Sequence, residues 1–280
     1  MFILGHCKEI EQITSEDYRR YVIEKCRRYK KKLFSFDDLS MYDLSYVNCI
    51  YPKIDINSVP NNFGKLFITN TPVLGVFGTS SKQGKFTLQL QLRKCFLQKG
   101  YSVGQIGSEP TSALFGFDYT YPMGYQSSVY TRSTENVAVL NCFMHQCEMH
   151  NRDIIVVGSQ SGTCPYNIYN LEMFTLSQVE FLLGTQPDAV VLCVNVGDDL
   201  KYITRTIKTI EGLVDCKVIA ISLFPRKMSH GIEMISSYSS DKDYINYKAK
   251  LHQYLNISVY DQNIHNTNLL CEQIINYFSE

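Results

Sequence analysis

Glycine, lysine and threonine recur around residue 80 at a spacing that can bind phosphate. The stretch reads Gly78-Thr-Ser-Ser-Lys-Gln-Gly-Lys-Phe-Thr87. Glycines allow backbone N–H groups to turn toward an anion, and the first turn of a helix adds its positive dipole end. Lys85 would reach the terminal phosphates of a ligand, and the Thr87 hydroxyl would complete a Mg²⁺ shell. The spacing therefore predicts a phosphate-binding loop.

The flanking residues predict the elements that such a loop needs. Residues 73–77 form an apolar run typical of a buried strand, and an amphipathic helical pattern begins at Lys85. The spacing G-x5-G-K-x-T is one residue longer on each side of Gly-Lys than the common form. An ordinary strand–helix turn capped by Ser and Thr, with Lys85 solvated, is the alternative, but it leaves the Gly-Lys pair unexplained. The predicted ligand-binding residues are Gly78, Thr79, Ser80, Ser81, Lys82, Gln83, Gly84, Lys85, Phe86 and Thr87.

After this loop, apolar strands alternate regularly with helices. Strands are predicted at residues 102–106, 153–157, 188–195, 217–224 and 257–260, and helices at 86–99, 134–149, 171–184, 198–212, 242–255 and 268–278. This alternation favours an α/β fold with a three-layer parallel sheet covered by helices on both faces. Ligands of such sheets bind beyond the carboxyl ends of the strands. Residues 159–161, Ser-Gln-Ser, follow one strand there and offer hydroxyls to phosphate or to a substrate oxygen.

The first 71 residues give a weaker pattern. A basic helical segment at residues 15–33 predicts a small amino-terminal helical segment, and residues 51–71 are rich in Pro, Asn and Gly. We therefore predict a boundary at residue 72. Residues 1–71 would form an appendage or part of another domain, and residues 72–280 would form the nucleotide-binding α/β domain.

Composition narrows the classes of partner. Lys and Arg together number 27, as do Asp and Glu, so the formal net charge of zero argues against nucleic acid or an anionic membrane as a partner. No apolar run approaches the length of about 18 residues expected of a membrane span. The ten cysteines lie largely within apolar patterns and include no C-x-x-C pair. This usage indicates reduced thiols and a cytoplasmic location.

The loop resembles the phosphate loop of dethiobiotin synthetase and its relatives. It is most similar to the Gly-Thr-x5-Gly-Lys-x-Thr form in the D-glutamate N-acetyltransferase family, whose carboxyl-terminal domain is a P-loop domain. Residues 99–111 also resemble the second strand of the ParA/MinD ATPases, with Glu109-Pro110 in place of an Asp-Pro pair. Residues 153–158 align with the Walker B strand of that class. The resemblance implies a P-loop NTPase-like fold that binds ATP with Mg²⁺.

Two carboxylates of those families are missing from this sequence. Gly158 occupies the position of the Walker B acid, and Ser80 occupies that of the acid which follows the first loop glycine in the synthetase relatives. Glu109 is the remaining candidate, so we predict Lys85 and Glu109 as catalytic residues and Thr87 and Glu109 as Mg²⁺ ligands. Asp118 and Asp198, on adjacent loops, are the reserve candidates.

Three functions fit these residues. The first is a Mg²⁺-dependent, ATP-binding P-loop enzyme that phosphorylates or activates a small-molecule or peptide substrate, which the long loop at residues 114–130 would bind. The second, implied by the resemblance, is an acyltransferase-like enzyme that holds the phosphates of coenzyme A or a nucleotide. The third is a non-catalytic accessory protein that senses nucleotide. A homodimer is compatible with each.

Overall fold

The computed structural model describes residues 1–228 and 236–280. The chain divides into two compact units, Met1–Lys53 and Ile54–Glu280. The first unit consists of β1 (Phe2–Leu4), α1 (Lys8–Thr14), α2 (Tyr18–Arg28), β2 (Leu33–Ser35) and β3 (Cys49–Ile50). The predicted basic helix is α2, and it begins at Tyr18 because the Asp17 side chain accepts a hydrogen bond from the Arg20 N–H. The strands form a parallel sheet in the order β1-β2-β3. This small sheet was not predicted, because strands of two or three residues carry too little periodicity to be recognised.

The division between the units lies at Ile54, whereas the sequence pattern suggested residue 72. Residues between these two positions are tied to the second unit by hydrogen bonds. The Ile54 N–H donates to the Ser128 carbonyl at 2.9 Å. The Phe67 N–H donates to Asn141 Oδ1 at 2.7 Å, and Asn141 Nδ2 donates back to the Phe67 carbonyl at 3.0 Å. This stretch, whose regular structure is a single 3-10 turn at Ile56–Ser58, is thereby held against the rest of the α/β unit.

The second unit contains the remaining strands and α-helices. In chain order they are β4 (Val73–Gly78), α3 (Lys85–Gln98), β5 (Val103–Gly107), β6 (Tyr119–Thr120), α4 (Thr134–Met149), β7 (Ile154–Gly158), α5 (Leu176–Thr185), β8 (Ala189–Asn195), α6 (Leu200–Leu213), β9 (Lys217–Phe224), β10 (Arg226–Met228), β11 (Ser236–Tyr238), α7 (Asp241–Leu255), β12 (Ser258–Asp261) and α8 (Ile264–Ser279). Seven strands form one sheet in the order β12-β9-β8-β4-β7-β5-β6, with every pair parallel. The predicted α/β class is confirmed.

Helices cover both faces of this sheet, as β4 illustrates. Its Leu74 and Val76 belong to a buried cluster with residues of α3 and α8, whereas Val73 and Phe77 belong to a second cluster with residues of α4, α5, α6 and α7. Successive side chains of a strand point to opposite faces, so a central strand buried on both sides must be apolar throughout. The sequence of β4 meets this demand, and the strand lies fourth of the seven.

The segment at residues 114–130, predicted as a long loop, contains the edge strand β6 and packs against the sheet. Phe117, Tyr121 and Met123 within it are buried, with exposed fractions of 7%, 1% and 4%. Its predicted part in binding a second substrate stays a prediction. All ten cysteines are free thiols. Within the described residues, none of the helices has the length and apolar character required to cross a bilayer.

Candidate functional site

The phosphate-binding loop connects the central strand to the first turn of α3. Gly78 ends β4, and Gly84 precedes Lys85, the first residue of the helix. Gly84 has φ +69°, and a Cβ there would lie 2.1 Å from Gln262 Oε1, so this position favours glycine. Lys82 also lies in the left-handed region, at φ +57°. In the described chain, the backbone N–H groups of residues 81–87 make no hydrogen bond to protein, so seven donors at a helix N-terminus are available to an anion.

The side chains behind the loop hold its shape. Thr79 Oγ1 donates to Asp198 Oδ2 at 2.6 Å and accepts from Gln83 Nε2 at 2.6 Å. Gln83 Oε1 accepts from the Ser80 N–H at 3.1 Å, and Asn195 Nδ2 donates to Ser80 Oγ at 3.1 Å. Thr79, Ser80 and Gln83 therefore use their polar side chains to fix the backbone of the loop.

Lys85 brings a buried positive charge to the site. Its side chain is 4% exposed, and Nζ donates to the Ser80 carbonyl at 2.5 Å. Burial lowers the pKa of Lys85 to about 8, although the nearby Cys193 and Glu109 oppose the shift. Burial likewise raises the pKa of Glu109, and the charge of Lys85 opposes that shift. The ammonium is thus incompletely compensated and is stabilised by an arriving anion.

A cavity of about 130 Å³ joins these groups at the carboxyl ends of β4, β5 and β7. Its lining residues are Lys82, Gln83, Gly84, Lys85, Phe86, Gln89, Ser108, Glu109, Ser159 and Gln160. Small-molecule pockets usually measure about 300–1,000 Å³. The cavity can therefore enclose the phosphate part of a ligand, while the rest of the ligand lies outside it.

Two buried polar atoms in the cavity wall have no hydrogen-bond partner in the described chain: Ser159 Oγ and Gln89 Oε1. The two residues are 3% and 2% exposed. A buried unpaired group costs about 1–3 kcal/mol. The Ser159 hydroxyl and the Lys85 ammonium can both donate to phosphate oxygens, so the residues present fit a phosphorylated ligand.

The structure brings only part of the predicted site to the cavity. Residues 82–86 and Glu109 line it together. Gly78, Thr79, Ser80 and Ser81 form the back of the loop. Thr87 is exposed and does not line the cavity. Residues 85 and 87 are about 200° apart around a helix, so Thr87 faces away from Lys85.

Phe86, between Lys85 and Thr87, packs against the loop at residues 114–130. Its ring stacks on Phe117 with centroids 5.4 Å apart, and meets the edge of Phe115 at the same distance. These contacts fix the rotation of the first turn of α3. The apolar residue in the G-K-x-T pattern thereby has a packing role.

The two reserve carboxylates have structural partners. Asp118 accepts from the Gln105 N–H at 2.9 Å and pairs with Arg152 at 2.5 Å. Asp198 supports the loop through Thr79, and the following Asp199 caps α6 by accepting from the Lys201 N–H. The described residues include no group of three or more His, Cys, Asp or Glu side chains that could hold a metal ion.

Sequence reasoning identified Ser159 but missed Gln89, Ser108 and Gln160. Gln160 Nε2 donates to the carbonyls of Ser108 at 2.5 Å and Met123 at 2.6 Å. It thus ties the end of β7 to the loops that follow β5. An amide residue just after a strand was the available signal, but its partners are distant in sequence.

Comparison with known proteins agrees with this geometry. A family model described as "Domain of unknown function (DUF1611_C) P-loop domain" matches residues 63–243, more than half of the chain. The fold is similar to the crystal structure of a DUF1611 family protein from Anabaena variabilis ATCC 29413, with a TM-score of 0.60 and 13% identity over 93% of this chain and 76% of that one. No curated protein matches the sequence.

More distant similarities involve nucleotide complexes. One is a nucleotide-binding protein from Archaeoglobus fulgidus in complex with ADP, with a TM-score of 0.44 and 11% identity over 72% of this chain and 87% of that one. Another is the signal recognition particle 54 kDa protein from Aeropyrum pernix K1 in complex with GDP, with a TM-score of 0.45 and 10% identity over 76% of this chain and 49% of that one.

Proposed function

We propose that this chain, which belongs to the DUF1611 family, binds a nucleotide through its phosphates and uses it to phosphorylate or activate a small molecule. The nucleotide we propose is ATP with Mg²⁺. The observation that carries the proposal is the cavity itself. There the buried Lys85 ammonium lies close to the Ser159 hydroxyl and to the amides that begin α3, which have no hydrogen-bond partner among the described residues. Three kinds of donor converge on a space of phosphate size.

The chain's own residues would act by positioning and charge stabilisation, which dominate phosphoryl transfer. Lys85 and the loop amides would bind the phosphate oxygens, and Phe86 would keep the first turn of α3 in register. Bound Mg²⁺ would neutralise negative charge on the phosphates. The Glu109 carboxylate, which lines the cavity, would help to hold Mg²⁺ and to orient the attacking group.

Two alternatives use the same loop. An acyl-transferring enzyme would hold the phosphates of coenzyme A there. A nucleotide sensor would bind without turnover, and it is favoured by Glu109 being the one Asp or Glu among the residues that line the cavity.

Thermal unfolding with different ligands tests the proposal. We expect ATP with Mg²⁺ at millimolar concentration to raise the melting temperature, because a ligand that binds only the folded state stabilises it. Consumption of ATP with a candidate acceptor would support the enzyme, whereas binding without turnover would support the sensor. Stabilisation by acetyl-CoA but not by ATP would favour acyl transfer. If none of these ligands shifts the transition, the proposal is wrong.

Binding should depend on pH through Lys85. Its pKa of about 8 means that the ammonium is charged at pH 7 and neutral well above pH 8. Affinity for ADP should therefore fall as pH rises from 7 to 9.5, with a slope approaching about tenfold per pH unit. A bound anion raises the pKa again, so binding at pH 8 should take up protons, which calorimetry in buffers of different ionisation enthalpy measures. Affinity that is constant over this range would contradict a phosphate contact by Lys85.

A further inference from the structure

The amide of Gln89 occupies the space that a side chain at position 158 would need. Gly158 ends β7 next to β4, where it is paired with Val76. An ideal Cβ on Gly158 would lie 2.1 Å from Gln89 Nε2, 2.2 Å from Cδ and 2.6 Å from Oε1. Contacts this short exclude any side chain there while Gln89 keeps its position. At the carboxyl end of β7, the polar group is therefore supplied by Gln89 of α3 and not by a side chain of β7.

The carbonyl oxygen of Gln89 lacks a protein partner. Gln89 Nε2 donates to the Lys85 carbonyl at a long 3.4 Å, whereas Oε1 is buried and unpaired in the described chain. This oxygen shares the cavity with the Ser159 hydroxyl and the Glu109 carboxylate. A phosphate oxygen cannot satisfy it, because both atoms are acceptors. A hydrogen-bond donor such as a water molecule, or a cation, would satisfy it.

We infer that Gln89 Oε1, together with the Glu109 carboxylate and Ser159 Oγ, forms the protein side of a divalent-cation site that is completed by the phosphates of the bound nucleotide. The inference rests on the proposed function. Neutral and anionic oxygens are the ligands that Mg²⁺ prefers, and Mg²⁺ needs few of them from protein when phosphates and water supply the rest. Gln89 thus replaces the missing side chain at position 158, and Thr87 takes no part.

Coupling between Mg²⁺ and ATP tests this site without measuring turnover. The coupling is measured as the ratio of the Kd for ATP without Mg²⁺ to the Kd for ATP with Mg²⁺. Calorimetry on the full chain determines both constants. Gln89→Met preserves length but removes the oxygen, so the ratio should fall by about tenfold or more. Gln89→Glu adds a charge, so the ratio should rise while binding of Mg²⁺-free ATP weakens.

Two further variants serve as a control and as a test of restoration. Gln98→Glu places the same change at an exposed position at the end of the same helix, and it should leave the ratio at the wild-type value. Gln89→Ala combined with Gly158→Asp supplies a carboxylate from β7 to the vacated space, and it should restore the ratio that Gln89→Ala alone loses. Restoration would show that the two positions serve one site. Circular dichroism verifies that each variant folds.

The outcomes separate the inference from the proposed function. If wild-type protein binds ATP neither with nor without Mg²⁺, the proposed function fails. If ATP binds but Gln89→Met leaves the ratio unchanged, only the cation site is wrong. If Gln89→Glu weakens ATP binding equally with and without Mg²⁺, the amide donates to phosphate and the inference is overturned.

Discussion

Lys85→Met should strongly reduce stabilisation by nucleotide while leaving the ligand-free protein about as stable as before. Burial lowers the pKa of the Lys85 ammonium from its ordinary value of 10.5 to about 8. At 1.36 kcal/mol per unit, the charged lysine costs the folded state about 3 kcal/mol near neutral pH. Loss of its hydrogen bond to the Ser80 carbonyl opposes the gain by about 1–3 kcal/mol. The two effects nearly cancel, whereas the contact with phosphate is lost completely.

Urea unfolding at pH 7 measures the stability of the ligand-free protein. The shift in melting temperature with ATP and Mg²⁺ measures the stabilisation by nucleotide. A charge-assisted contact contributes about 1.5–3 kcal/mol, so affinity should fall by about 10- to 150-fold. Lys94→Met makes the same change at an exposed position of α3 and should alter neither quantity. A variant at Lys85 that unfolds easily yet binds nucleotide normally would identify the lysine as a structural residue.

The fold was largely predictable because its strands are long, apolar and regularly spaced. The predicted helix at residues 134–149 has the bounds of α4 (Thr134–Met149), and the predicted strand at 217–224 has those of β9 (Lys217–Phe224). The two-residue strand β6 and the antiparallel pair β10 and β11 were missed, since elements of two or three residues show no recognisable period. The local hydrophobic pattern was thus sufficient to predict an element that is long enough to show its period.

The candidate site was predictable where its residues form a local motif or directly follow a predicted strand, as Glu109 and Ser159 do. The loop from Gly78 to Lys85 is a local motif, so its spacing identified it. Gln89 lies one helical turn beyond Lys85 and reaches the cavity because Gly158, far along the chain, leaves room for it. When a helix side chain occupies the space left by a glycine of a strand, neither segment alone carries a sequence pattern that predicts it.

Gly162→Ala should damage both stability and nucleotide binding. An ideal Cβ on Gly162 would lie 2.3 Å from the Thr79 carbonyl oxygen and 2.9 Å from its carbon. These are backbone atoms of the phosphate-binding loop, and Tyr202 Oη holds the same carbonyl at 2.6 Å. The loop must therefore shift to admit the methyl group. We expect a loss of about 1–3 kcal/mol in the free energy of unfolding.

Gly212→Ala is the matched control for that change. Gly212 lies in α6, and an added Cβ would meet no other part of the described structure within 4 Å beyond its own helix backbone. Alanine is favoured over glycine within a helix by about 1 kcal/mol, so this variant should gain stability and bind nucleotide normally. Urea unfolding and ATP titration of both variants give the comparison. The expected damage at Gly162 comes from displacement of the loop, so equal stability and equal affinity in the two variants would contradict the close approach of residue 162 to Thr79.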